Sequence, residues 1–415
     1  MISQKEYALR REKLLKKLSC NSVGVVFSGE HKIRSNDTEY PFRQNSNFYY
    51  LCGFKEDKSA LMFVKNKKIS KTILFVAKKD KKLELWNGKR VGVKKAKKRF
   101  LVDEVFCIDD LQKHLKNYLD LADKLYFDFN LDYSKVKILK RYAKNLSTHK
   151  NIAPIIQKMR LIKSSSEIEL IKKAIDITKE AHHSVMNMDK SGKNEYELVS
   201  EFEYIFKKNG AYSDAYTSIV ACGNAANTLH YIQNDQPLKD GELILIDAGC
   251  EYDYYASDIT RTISVSGRLN EPQKELYELV LNTQLEVIKM IKPHAMRSDL
   301  QRRAVELLTT GMVKLGILKG SVKKLIKKEK YKKYYPHGIG HWMGLDVHDE
   351  CPYKHKKGKE IKLQEGMVLT IEPGIYIDKN DKKVPKKYRG IGIRIEDDIL
   401  ITKDSYENLS KDIIK

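Results

Sequence analysis

Leu243-Ile244-Leu245-Ile246-Asp247-Ala248-Gly249 and, after a tyrosine-rich turn, Ala256-Ser257-Asp258-Ile259-Thr260-Arg261-Thr262-Ile263 decide how this chain is read. The first stretch is a short apolar run that ends on an acid, the pattern of a buried strand. The second reads as its returning partner, and the connection is short enough for an antiparallel pair. Such a pair sets Asp247 and Asp258 side by side. Two ionised carboxylates at that range repel, so a cation or a shared proton is expected between them. A purely structural alternative stands beside this one: Asp247 as a strand-end turn residue, and Asp258 paired with Arg261.

Downstream the pattern recurs with glutamate. Met367-Val368-Leu369-Thr370-Ile371-Glu372-Pro373-Gly374 is a strand meeting an acid at its end, and Gly390-Ile391-Gly392-Ile393-Arg394-Ile395-Glu396 carries Glu396 in an alternating apolar run. A glutamate there is costly unless ligated or paired. Two strand pairs each offering two acids hint at an internal pseudo-twofold arrangement. Between them Pro336-His337-Gly338-Ile339-Gly340-His341-Trp342-Met343-Gly344-Leu345-Asp346-Val347-His348 holds three of the 11 histidines. Hard carboxylate oxygens plus imidazole favour Mn²⁺, Co²⁺, Fe²⁺ or Zn²⁺ in a shared two-metal site. The absence of HExxH speaks against a mononuclear zincin.

Working outward, residues 1–160 read as mixed α/β: a basic helix over about 4–18, then strands at Val23–Phe27, Ala60–Val64, Thr72–Val76 and Lys124–Asp128. A capping box, Ser164 with Glu167, opens a long amphipathic helix over 166–188. Further helices are expected at 195–209, 272–291 and 298–316, the last opened by a second box, Ser298 with Gln301. His182 and His183 lie on the first of these helices and read as ordinary helix residues. The 415 residues carry 78 Lys and Arg against 55 Asp and Glu, a formal charge of +23, with 41% hydrophobic residues. The lysine runs at 94–99 and 323–328 lack interleaved aromatics, so a solvated surface is preferred to a nucleic-acid partner. Six scattered cysteines without a CxxC pair suit core residues rather than disulfides or thiolate zinc. Neither a long apolar run nor a secretory-type start is present, so a cytoplasmic protein without membrane association is expected.

With these residues in view the chain resembles the pita-bread metallopeptidases, the family of methionine aminopeptidase, prolidase and aminopeptidase P. Their ligand order Asp, Asp, His, Glu, Glu corresponds here to Asp247, Asp258, His341, Glu372 and Glu396. Pro41-Phe42-Arg43-Gln44-Asn45-Ser46-Asn47-Phe48-Tyr49-Tyr50 and Glu84-Leu85-Trp86-Asn87-Gly88-Lys89-Arg90 are similar to the aminopeptidase P amino-terminal domain, which methionine aminopeptidases lack. The resemblance implies an α+β protein: a C-terminal pita-bread domain over 161–415, and a smaller N-terminal α/β domain over 1–160 for oligomerisation and substrate gating. It implies an Xaa-Pro aminopeptidase acting on peptides with proline at position 2, as a homodimer or homotetramer with two divalent cations, Mn²⁺ before Co²⁺ or Zn²⁺.

Carried over residue by residue, Asp247 chelates one metal, His341 and Glu372 the other, and Asp258 and Glu396 bridge. A water acidified by both cations attacks the scissile carbonyl, with Glu372 as general base. His348 binds the carbonyl oxygen, and His230 and His337 line the proline pocket, His337 alternatively assisting the leaving group. Arg394 sits beside the metal shell or anchors a peptide carboxylate, flanked by Tyr376. Trp86 closes a neighbouring subunit's pocket, or is a buried aromatic of the small domain. The rival readings are a proline dipeptidase and an inactive pita-bread binding module.

Overall fold

In a computed structural model the chain is described at every residue except 144, 145 and 147. It divides into two compact units, Met1–Arg160 and Leu161–Lys415.

The first unit is built on a six-stranded sheet in the order Glu104–Cys107, Ser70–Val76, Ala60–Lys65, Ser22–Phe27, Lys124–Phe127, Thr148–Asn151. The three inner ladders from Ser22–Phe27 to Ser70–Val76 and to Lys124–Phe127 mix antiparallel and parallel pairing. Ile73, Leu74, Phe75 and Val76 are all buried, which explains why this strand reads as an unbroken apolar run instead of alternating. The first helix, Gln4–Lys17, starts at Ser3, whose hydroxyl accepts from Glu6 N. Its basic residues are not all solvated. Arg10 and Arg11 are buried and donate to the Tyr50 and Leu51 carbonyls, at the C-terminal end of the Ser46–Cys52 helix, where cations satisfy orphan carbonyls. The lysines of the 94–99 and 323–328 runs are exposed. No helix among the described residues is long and apolar enough to cross a membrane.

In the second unit one order of parts occurs twice. Helices Ser165–Asn187 and Glu195–Lys208 pack with strands Ile219–Cys222 and Leu243–Asp247 around one core. Helices Glu271–Lys289 and Arg297–Lys314 pack with strands Val368–Ile371, Gly374–Ile377, Ile391–Arg394 and Asp397–Ile401 around another. The Ser164–Glu167 capping box forms, both side chains closing on the opposite backbone. The Ser298–Gln301 box does not. That helix begins at Arg297 after Met296, so Ser298 lies inside the first turn, and Gln301 instead accepts from Ile339 N at 2.5 Å. A buried loop amide outcompetes a cap that water can replace.

Candidate metal centre

Strand registers bring the acids together. Leu243–Asp247 runs antiparallel to Thr260–Ser264 with Asp247 opposite Thr260, so Asp258 lies just outside the same ladder. Val368–Ile371 pairs with Asp397–Ile401, and Gly374–Ile377 with Ile391–Arg394. Glu372 and Glu396 occupy the two gaps where both strands step from one ladder to the next. Glu396 N donates to Thr260 O at 3.1 Å, which ties the two halves at the acids themselves.

Two glycines permit the turns beside the ligands. A Cβ on Gly249 would lie 2.0 Å from Ser257 O, and one on Gly340 would lie 1.8 Å from Thr370 O. Gly249→Ala and Gly340→Ala are each expected to cost about 1–3 kcal/mol, as overpacking against backbone does. Chemical denaturation of the purified variants measures it.

His341 Nδ1 donates to Trp342 O at 3.0 Å, which turns Nε2 toward the acids. That nitrogen lies 3.2 Å from Asp258 Oδ2 and 3.7 Å from Glu372 Oε1. Ligand atoms of Asp247, Asp258 and Glu396 form one trio, and those of His341, Glu372 and Glu396 a second, with all atoms in each within 4.8 Å of one another. A third trio adds His348, expected from the sequence only to bind the carbonyl oxygen, to Asp258 and His341. This donor set fits two hard divalent cations. The alternative that paired Asp258 with Arg261 fails: the buried Arg261 guanidinium reaches Asp397 at 2.8 Å.

Four carboxylates in one buried cluster cannot all ionise at little cost. Burial raises Glu372 to about 7, opposed by His341 and Arg394 and reinforced by Asp258 and Asp247. Burial and the neighbouring acids push Glu396 well above its ordinary range. Asp247 also is raised by burial, with Arg394 working against it. Burial would lower His341, but the Asp258 carboxylate prevails and lifts it to about 9. In the folded chain Glu372 titrates above its ordinary 4.5, so it favours the fold fully below that value and loses the contribution as pH rises through about 7. The chelator-treated protein is therefore expected to lose thermal stability between about pH 5 and pH 7.5, whereas the cation-loaded protein is not. Paired thermal melts across that range check it.

Arg394 lies beside the acids, the first of its two sequence-based alternatives: Nη2 pairs with Asp247 Oδ2, and Nη1 donates to Tyr376 OH at 3.0 Å. Tyr376 OH then lies 2.8 Å from His337 Nε2, and His337 Nδ1 lies 2.8 Å from Gly338 O. A hydrogen-bonded line thus runs from Asp247 to His337, with both imidazole nitrogens engaged. Burial and Arg394 lower His337 to about 4 and keep it neutral. His230 is exposed, near enough to His337 and His348 to disfavour protonation of both. Trp86 belongs to the first unit and is 83% exposed on the short Lys81–Asn87 helix, so the buried-aromatic alternative does not hold.

Several residues were not anticipated. Tyr216 OH donates to Asp247 Oδ1 at 2.5 Å. Thr260 Oγ1 donates to Glu396 Oε2 at 2.7 Å and accepts from Arg394 Nε at 3.1 Å. Asp398 accepts from Asp258 N at 3.1 Å, and Gln284 Nε2 donates to the Ile371 and Ile395 carbonyls. Thr260 could have been found, since it lies two residues after Asp258 on one strand face. Tyr216 and Gln284 carry no local signal.

Comparison with known proteins matches residues 169–403 to the model of metallopeptidase family M24 and residues 7–126 to the aminopeptidase P N-terminal domain. The chain belongs to metallopeptidase family M24. A Haemophilus influenzae Xaa-Pro aminopeptidase is 41% identical, covering 97% of this chain and 93% of the relative. The human Xaa-Pro aminopeptidase 3 is 38% identical over 100% of this chain and 84% of its own length. Among solved structures, proline aminopeptidase P II from Yersinia pestis superposes with a TM-score of 0.95 at 37% identity, covering 100% of this chain and 97% of the other. Escherichia coli aminopeptidase P with the inhibitor Pro-Leu gives 0.95 at 36% identity, over 100% and 96%. The second unit of this M24 peptidase accordingly has the pita-bread fold.

Proposed function

We propose that this Xaa-Pro aminopeptidase holds two divalent cations on Asp247, Asp258, His341, Glu372 and Glu396 and uses them to hydrolyse the bond before a proline at position 2. The single observation that carries the assignment of residues is the convergence of these five side chains, from separate segments, into two overlapping trios. The prolidase alternative is not favoured, because the relatives matched over nearly the whole chain bear the name Xaa-Pro aminopeptidase. An inactive binding module is not favoured either, since none of the five ligand positions is lost.

Cations in this centre supply Lewis acidity and make water nucleophilic at neutral pH. Glu372 removes the proton of the attacking water. His348, beside His341, donates to the scissile carbonyl oxygen as negative charge develops there. Tyr376, His337 and His230 receive the proline ring, whose tertiary amide offers no N–H to an ordinary protease cleft. The oxygen-rich donors favour Mn²⁺, with Co²⁺ and Zn²⁺ as workable substitutes. The exposed Trp86 suits a contact with a second copy, and hence a homodimer or homotetramer, which light scattering of the purified chain reads directly. We place its work in the cytoplasm, where the free cysteines stay reduced.

The test is hydrolysis by the Mn²⁺-loaded chain of Gly-Pro and of an X-Pro-Y-Z tetrapeptide in parallel. Release of the first residue from the tetrapeptide supports the reading. Cleavage of the dipeptide alone would make the chain a dipeptidase.

A further inference from the structure

The segment that joins Asp247 to Asp258 folds as a hairpin, Cys250–Tyr252 against Tyr255–Ala256. At its base Ala248 N donates to Ile259 O and Ser257 N to Cys250 O, each at 3.1 Å, so this base spaces the two aspartates. The helix Ser165–Asn187 grips the hairpin from behind. Thr178 Oγ1 accepts from Cys250 N at 3.1 Å and lies 2.8 Å from Ser257 Oγ. One turn on, His182 Nε2 lies 3.3 Å from Ala248 O. About three turns before Thr178, Glu167 accepts from Tyr255 OH at 2.9 Å.

Residues 167, 178 and 182 share one helix face. Thr178 and His182 are fully buried, as are Ala248 and Ser257. Buried polar side chains are costly unless paired, and both find their partners on the hairpin base. The bond to Ala248 O assigns the proton to His182 Nε2, which leaves Nδ1 bare and without a partner. An apolar side chain against the Phe202 ring would avoid that penalty, so what the imidazole adds is its grip on Ala248.

We propose that Thr178 and His182 are positioning residues that fix the spacing of Asp247 and Asp258 and so set the cation affinity of the centre. The inference rests on the two-cation reading above. Neither residue touches substrate or cation.

The probe is Mn²⁺ added to the chelator-stripped full chain, followed by calorimetry and by the EPR signal of the exchange-coupled pair. Thr178→Val, close in shape but without the hydroxyl, is expected to weaken binding about 10- to 100-fold and to change that signal, with Thr178→Ser staying within about threefold of the unaltered protein. His182→Phe should lose affinity in the same way. Ser257→Ala removes the shared hydroxyl contact from the other side, so its loss and that of Thr178→Val should be less than additive. If Thr178→Val does not fold, the comparison of Ser257→Ala with Thr178→Ser decides. Folded variants with unaltered Mn²⁺ affinity and EPR signal overturn the proposal. An unaltered chain that binds no Mn²⁺ overturns the two-cation reading beneath it.

Discussion

Replacing Glu372 by glutamine is expected to lower kcat on an X-Pro-Y-Z peptide by about a thousandfold, within the range for loss of a positioned general base. Glutamine keeps the length of the side chain and one acceptor oxygen beside Thr370 Oγ1 and His341 Nε2. What it loses is the capacity to take a proton, and with it one of four negative charges. KM should change far less than kcat, because the proton moves only as the reaction proceeds. Steady-state kinetics at saturating Mn²⁺ separate the two, with bound metal measured on the same sample. A variant with both cations and near-normal kcat would remove Glu372 from the role of base.

The second large effect concerns Asp258. Its carboxylate stands within reach of His341 and shares a trio with Asp247 and Glu396. Asp258→Asn should reduce bound cations below two per chain and cut turnover by about a thousandfold or more, since each cation contributes several kcal/mol of charge stabilisation. In the metal-free variant His341 should titrate below the value of about 9 that it has in the metal-free parent, because the carboxylate that lifts it is gone. Metal analysis, turnover and an NMR titration of the imidazole give three readouts. Mere misfolding would return the imidazole to its ordinary value and disperse no native spectrum.

Much of this centre is legible in the sequence because its ligands sit where strands end. An apolar run that stops on Asp247, or on Glu372, marks both the strand and the acid, and the histidine-glycine stretch between them marks the loop that closes the cluster. The partners that orient the ligands are less visible. Thr260 follows strand periodicity, but Tyr216, Gln284 and Asp398 reach the centre through tertiary packing that no local pattern encodes. Charge was misleading in places. Arg10 and Arg11 read as part of a basic helix, yet they are buried and end the helix Ser46–Cys52, and Arg261, which the structural alternative pairs with its neighbour Asp258, reaches Asp397. His182 reads as an ordinary helix residue, since its partner Ala248 lies 66 positions away. Gln301 shows the same limit from the other side: a sound local capping pattern yields to a buried amide at Ile339.

The most direct test of the central claim is a titration of the metal-free chain with Mn²⁺ while release of the first residue is followed from X-Pro-Y-Z and, in parallel, from X-Ala-Y-Z. Activity on the proline peptide alone, rising from nothing to a plateau at two equivalents per chain, is the predicted result. Equal turnover of the alanine peptide, or full activity before any metal is added, would contradict the account.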